Sequence, residues 1–201
     1  MTENHLIIFV KNRIAGKTKT RLAKTIGNDK ALAIYEELLN YTHCVTAPLQ
    51  YKKWVFFSEY IEKNSLWGEG YELAVQHGAD LGERMHSAFE KCFAQGAKRV
   101  CIIGTDCFEL ETRHIQEAFE ILERKDAVFG PAEDGGYYLL GLQEQQPELF
   151  LNKTWSTPDV LAEALQTSEH LGLKVAHLKK LHDLDNEQDL RRYILQKNKK
   201  K

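Results

Sequence analysis

Short, continuously apolar runs separated by amphipathic stretches recur along this sequence, and that alternation limits its fold more than any other feature. Leu6 to Val10 is apolar at every position, as is Val100 to Ile103. A strand with one wet face alternates apolar and polar residues, so unbroken runs point to strands covered on both sides. Trp54 to Phe57, a shorter Glu72 to Val75, Ala127 to Phe129, Tyr137 to Leu142 and Lys174 to Leu178 read as further strands. Helical periodicities lie between them. Asp29 can cap a helix with Leu32, Tyr35, Leu38, Leu39 and Thr42 on one face. Asp80-Leu81-Gly82-Glu83 has the form of a capping box, ahead of Met85, Ala88, Phe89 and Cys92. Thr112 to Arg124, a helix begun at Thr157-Pro158 and stopped at Gly172, and Glu187 to Leu195 complete the set. The pattern is that of a three-layer α/β/α sandwich around a mostly parallel sheet, with late hairpin-like pieces giving a mixed edge.

No internal repeat or composition break divides the chain, so one domain is expected over residues 1–196, with a basic, frayed tail at 197–201. With 43% hydrophobic residues it can bury a sizeable core, and a net charge of -2 argues against a nucleic-acid partner. No apolar run reaches membrane-spanning length, and the start of the chain lacks the features of a signal peptide. Cys44, Cys92, Cys101 and Cys107 form no CxxC pair. A reduced, cytoplasmic protein is expected, as a monomer or small homo-oligomer.

Open α/β sheets bind ligands beyond the carboxyl ends of their strands, and several polar segments fall there. Lys11 to Arg21 follows the first strand and holds Lys11, Arg13, Lys17, Lys19 and Arg21 around Gly16, with no acid among them. Such a loop suits phosphates, a solvated surface loop being the alternative. Gly16-Lys17-Thr18 is not a P-loop, because Lys11 stands where that motif needs its first glycine. Gly104-Thr105-Asp106-Cys107 ends another strand, and Asp106 is placed to hold a hard divalent cation against substrate phosphates, or to cap a turn. Asp185 in His182-Asp183-Leu184-Asp185 can complete that site or cap the last helix. Glu133-Asp134-Gly135-Gly136 sits between two strands, where either acid can orient a hydroxyl and take its proton, or form a plain turn. Asp80 reads as a cap that could also face a nucleotide, with Gly82 leaving the backbone open there. Trp155-Ser156 can flank an acceptor or simply pack.

Taken in order, Lys19-Thr20-Arg21-Leu22, Asp80-Leu81-Gly82-Glu83-Arg84-Met85, Gly104-Thr105-Asp106-Cys107, Glu133-Asp134-Gly135-Gly136-Tyr137-Tyr138, Trp155-Ser156-Thr157 and Asp183-Leu184-Asp185 form a series. It resembles the bacterial family of small GT-A-fold glycosyltransferases of the arsenosugar-biosynthesis or radical-SAM/selenodomain-associated type. The likeness runs from the first strand to about Leu190. It implies a nucleotide-diphospho-sugar transferase fold, related to molybdenum-cofactor guanylyltransferases, with Mg²⁺ or Mn²⁺ as cofactor. It further implies nucleotide binding through Lys19 and Arg21, and metal binding through Asp106 and Asp185. The first loop departs from the family's proline-rich pattern at Asn12, Arg13 and Ala15, and Phe108 replaces a proline.

The expected function is a metal-dependent glycosyltransferase acting on a nucleotide sugar and a small acceptor. Asp106, Glu133 and Asp134 are the catalytic candidates. Lys11, Gly16, Lys19, Arg21, Asp80, Gly82 and Thr105 would bind the nucleotide, and Gly135, Gly136, Trp155 and Ser156 the acceptor. The alternative is a nucleotidylyltransferase that joins an NTP to a small phosphorylated substrate and releases pyrophosphate.

Overall fold

The structure, a computed structural model, describes residues 3–199. Strands β1 (Asn4–Val10), β2 (Lys52–Phe57), β3 (Tyr71–Val75), β4 (Arg99–Ile103), β5 (Ala127–Pro131), β6 (Tyr137–Leu142) and β7 (Val175–His177) form one sheet in the order β3-β2-β1-β4-β6-β5-β7. Only β6 runs against its neighbours, pairing antiparallel with both β4 and β5. The carboxyl ends of β1 to β5 therefore share one rim, and the turn from β5 to β6 lies there too. The apolar runs behave as their composition requires. Leu6, Ile8, Val10, Val55, Phe57, Cys101 and Ile103 pack on one face against α2 (Asn28–Thr46) and α4 (Thr112–Ile121). Ile7, Trp54, Phe56, Val100 and Ile102 pack on the other against α3 (Leu81–Ala94) and α5 (Val160–His170). Leu6, Ile7 and Ile8 are each fully buried, worth ~2 kcal/mol apiece in area removed from water. The α/β/α sandwich with a mostly parallel mixed sheet is what the structure shows.

A smaller apolar cluster matters more for function. Leu22, Leu38, Phe108 and Leu184 pack with Leu190 and Tyr193, joining α1 (Thr20–Ile26), α2, the loop after β4 and α6 (Glu187–Lys199). Phe108, standing where the resembling family has proline, fills this cluster, its ring edge-on to Tyr193 at 5.5 Å. The cluster fixes the segments that carry Asp106 and Asp185 relative to one another.

Some boundaries differ from expectation. α1 begins at Thr20, at the end of the basic loop, where the sequence reading places no helix. α5 begins at Val160 instead of Thr157-Pro158, because Ser156 takes a left-handed conformation (φ 65°) and Leu161 N donates to Gly135 O at 3.0 Å. The chain there turns to dock on the β5–β6 turn before it can wind. α6 continues beyond Leu195 to Lys199, anchored where Lys197 pairs with Glu37 at 2.7 Å, so residues 197–199 are helical and not the frayed tail expected. Lys200 and Lys201 lie outside the described residues. Among the described residues no helix is long and apolar enough to cross a membrane.

Candidate active site

A cleft of about 820 Å³ opens along the carboxyl rim. Its floor is the end of β4, where Gly104, Thr105 and Asp106 follow Ile103. One wall is the basic loop. Its residues Asn12 and Arg13, which replace prolines of the resembling family, hold it by hydrogen bonds instead. Asn12 Nδ2 donates to Tyr60 O (2.8 Å), while its Oδ1 accepts from Ser58 Oγ (3.1 Å) and from the backbone N–H of Glu59 (2.9 Å) and Tyr60 (3.3 Å). Arg13 pairs with Glu62 at 2.7 Å. The Tyr35 hydroxyl accepts from Lys11 N and donates to Lys11 O.

This network sorts the five cations. Lys11, Lys19 and Arg21 line the cleft, whereas Arg13 and Lys17 turn toward Glu62 and Glu59 and do not. Gly16 (φ 80°) serves the turn against Asn28 and does not line the cleft. Lys19 is the most enclosed of the cations, its side chain only 3% exposed. Its Nζ lies 2.8 Å from Asp106 Oδ1 and 3.2 Å from Asp185 Oδ1, and donates to the Leu184 carbonyl. Burial opposes its charge, but Asp106 and Asp185 outweigh that and hold its pKa above the ordinary lysine value. Arg21 stands 3.9 Å from Asp185.

The acidic side of the site comes from two segments joined at Leu184, whose N–H donates to Asp106 O at 2.9 Å. Asp185 lines the cleft with Asp106, as expected. Asp183 joins them, and the site assignment from sequence omitted it. Its backbone bridges to Cys107, and its buried Oδ1 has no hydrogen-bond partner. Burial, then repulsion from Asp106 and Asp134, raises its pKa to about 8. The alternation of acids at 183 and 185 was the available signal. Which way each side chain points depends on the bridge to Cys107. Cys107 itself is no nucleophile, because burial pushes its thiol far above the ordinary range.

Among the described residues no three His, Cys, Asp or Glu side chains are arranged to hold a metal by themselves. Two carboxylates with substrate phosphates are what a Mg²⁺-type ion uses, and the hard oxygens of Asp106 and Asp185 fit that chemistry. The unpartnered Oδ1 of Asp183 beside them adds an acceptor short of a donor or cation.

The other expected site residues divide. Asp134, Gly136, Trp155 and Ser156 line the cleft, and Asp134 Oδ1 accepts from Gly136 N at 2.9 Å. Glu133 does not; it turns outward to Lys180 (2.9 Å) with His182 Nε2 at 3.9 Å. Gly135 (φ 91°) does not line the cleft, and a Cβ there would come within 2.0 Å of Pro158 O, so it is a close-packing position. Gly82 is likewise closed off. An added Cβ would meet Phe150 O at 2.1 Å and Trp155 Nε1 at 2.4 Å, so its bareness seats the Trp155 loop. Asp80 lines the cleft, and its Oδ1 caps α3 by accepting from Glu83 N at 2.9 Å. Arg84, which follows Gly82 and can face a nucleotide there, lines the cleft too, as does Gln76, absent from the expected site; Gln76 Nε2 donates to Val10 O and Phe56 O, clamping β1 to β2.

Comparison with known proteins agrees with this architecture. No curated protein matches the sequence. Residues 42–157 match a family described as uncharacterized protein conserved in bacteria (DUF2064). A crystal structure from Desulfovibrio desulfuricans G20, provisionally described as a nucleotide-diphospho-sugar transferase, is 32% identical, with a TM-score of 0.89 over 94% of this chain and 85% of that one. The 2-C-methyl-D-erythritol 4-phosphate cytidylyltransferase of Thermus thermophilus is 15% identical (TM-score 0.58, covering 98% and 100%). Rv0371c of Mycobacterium tuberculosis H37Rv, in complex with manganese, is 11% identical (TM-score 0.59, covering 96% and 98%). The last two share the fold. With more than half its length matched by the family and a close structural relative along nearly all of it, the chain belongs to this bacterial family and has the nucleotide-diphospho-sugar transferase fold.

Proposed function

We propose that the protein is a metal-dependent glycosyltransferase that moves a sugar from a nucleotide diphosphate to a small acceptor. The observation that carries this is the meeting of Asp106 and Asp185 at Lys19, with Lys11 and Arg21 in the same cleft. Acids for a cation and cations for a diphosphate thus stand side by side at the rim where such sheets bind nucleotides. The name given to the Desulfovibrio relative supports the same chemistry. The narrower membership, in the arsenosugar-biosynthesis or radical-SAM/selenodomain-associated type, rests on the motif series and is proposed with it.

Asp106 and Asp185, with Asp183 behind them, would hold Mg²⁺ or Mn²⁺, which when bound offsets the negative charge growing on the departing nucleoside diphosphate. Lys11, Lys19 and Arg21 supply positive charge to the phosphates, and the burial of Lys19 strengthens its share. Asp134 orients the acceptor hydroxyl and takes its proton, a contribution typically of ~10²–10⁴-fold. Glu133 faces away and is assigned no part. Trp155 and Ser156 close the acceptor end.

The test is calorimetry and product analysis with a panel of nucleotide sugars, with and without Mn²⁺. Metal-dependent binding followed by release of a nucleoside diphosphate is expected. Release of pyrophosphate from an NTP would establish nucleotidylyl transfer instead, and no metal-dependent binding of any nucleotide would refute both.

A further inference from the structure

The space between Asp106 and Asp185 is already held by a cation of the chain's own. Lys19 Nζ touches both carboxylates and the Leu184 carbonyl, and its side chain is almost sealed from solvent. A divalent ion needs the same two carboxylates. Arriving alone, it would meet them with the ammonium still between them, in surroundings where like charges repel strongly. The backbone of Lys19 adds a second observation. It adopts φ 48° and ψ 43°, a left-handed conformation that costs a non-glycine residue roughly 1–2 kcal/mol. Such strain persists only where the surroundings hold the residue in place, and the Lys19 ammonium is held by the two acids and the Leu184 carbonyl. No side-chain cap holds the start of α1, where Ala23 N donates to Lys19 O at 2.8 Å.

We propose that Lys19 is a built-in counter-ion that makes the site select a metal–diphosphate chelate over the free metal. The inference rests on the metal site assigned above and adds the form in which its ligand enters. With a diphosphate present, Nζ leaves Asp106 and Asp185 for phosphate oxygens, and both carboxylates are freed for the ion that the diphosphate carries. Every charge then keeps a partner. Without a diphosphate the ammonium stays where it is, held by the Leu184 carbonyl and the two acids and walled off from water.

The experiment measures protein-bound Mn²⁺ by electron paramagnetic resonance, with inorganic pyrophosphate as the diphosphate, in wild type, Lys19→Met, Lys19→Gln and Asp106→Asn. Wild type is expected to bind Mn²⁺ weakly alone and far better with pyrophosphate. Both Lys19 variants should bind Mn²⁺ alone about tenfold more tightly than wild type, a coupling of ordinary size. Lys19 variants that bind free Mn²⁺ no better than wild type, while Asp106→Asn loses it, would overturn the counter-ion role and leave the metal site standing. Absence of Mn²⁺ binding by wild type in every condition would remove the metal site and this inference with it. If neither Lys19 variant folds, a crystal structure of wild type with Mn²⁺ and pyrophosphate decides. Nζ on a phosphate oxygen supports the exchange, and Nζ still bridging the two acids overturns it.

Discussion

His5 makes the folded state sensitive to acid at a place remote from the cleft. It lies in β1 between Lys52 of β2 and Val100 of β4, near the strand's amino end, and is only 2% exposed. Its Nδ1 has no hydrogen-bond partner. Burial, aided by the charge of Lys52, lowers its pKa from 6.5 to about 4. The folded state therefore keeps the ring neutral at pH values where the unfolded chain protonates it. Stability from this group is complete above pH 6.5, falls as acid is added, and levels off near pH 4. Across the whole window the loss is about 3 kcal/mol, and between pH 7 and pH 5 about 2 kcal/mol. His5→Leu removes the titration and the unpartnered nitrogen while leaving the cleft untouched. Urea unfolding of both proteins at half-unit pH steps isolates the effect, since other titrating groups cancel in the difference. The stability gap in favour of the variant should widen by about 2 kcal/mol from pH 7 to pH 5. Parallel stability curves over that range would show that the ring is hydrated or paired in solution, and the reasoning would fail.

The two acids of the β5–β6 turn should separate cleanly. Asp134→Asn is expected to lower kcat by ~10²–10⁴-fold, while Glu133→Gln stays near wild type, as steady-state kinetics would show. Lys17, tied to Glu59 on the exposed side of its loop, should be dispensable. Lys17→Ala is expected to change the Kd for a nucleoside diphosphate less than about twofold, against about tenfold or more for Arg21→Ala, by calorimetry. Gly82→Ala forces a methyl group against Phe150 O and the Trp155 ring. A loss of about 1–3 kcal/mol is expected in denaturant unfolding, together with a shift in Trp155 fluorescence.

Much of the scaffold was readable because burial on both faces leaves few polar positions in the middle of a strand. The runs at Leu6, Trp54 and Val100 therefore marked the central strands directly. The position of β6 between β4 and β5 was not readable, because strand order is decided by how the faces pack and not by any one segment. The short helix α1 left no sign either. It opens at a left-handed lysine, with no capping side chain to announce it. Within the site, Asp106, Asp185, Lys19 and Arg21 were recognisable by their places at strand ends and in the motif series. Asp183 and the difference between Glu133 and Asp134 were not, since both turn on side-chain direction. That direction is fixed by contacts far away in sequence: Cys107 against Asp183, and Lys180 drawing Glu133 outward. Gly82 and Gly135 are ambiguous in sequence for a related reason. A bare glycine looks alike whether it makes room for a ligand or for another loop, as Phe150 and Pro158 show.

The lone reversed strand has a consequence for how such a protein can diversify. Because β6 returns between β4 and β5, its hairpin bend projects beside the pocket mouth without bearing on the loops after β1 and β3. Lengthening or rewriting that bend would reshape one bank of the pocket and leave the opposite bank as it was. Under the proposed reading, new acceptors can be recruited through a few residues around Asp134, while the machinery that grips the diphosphate is inherited whole.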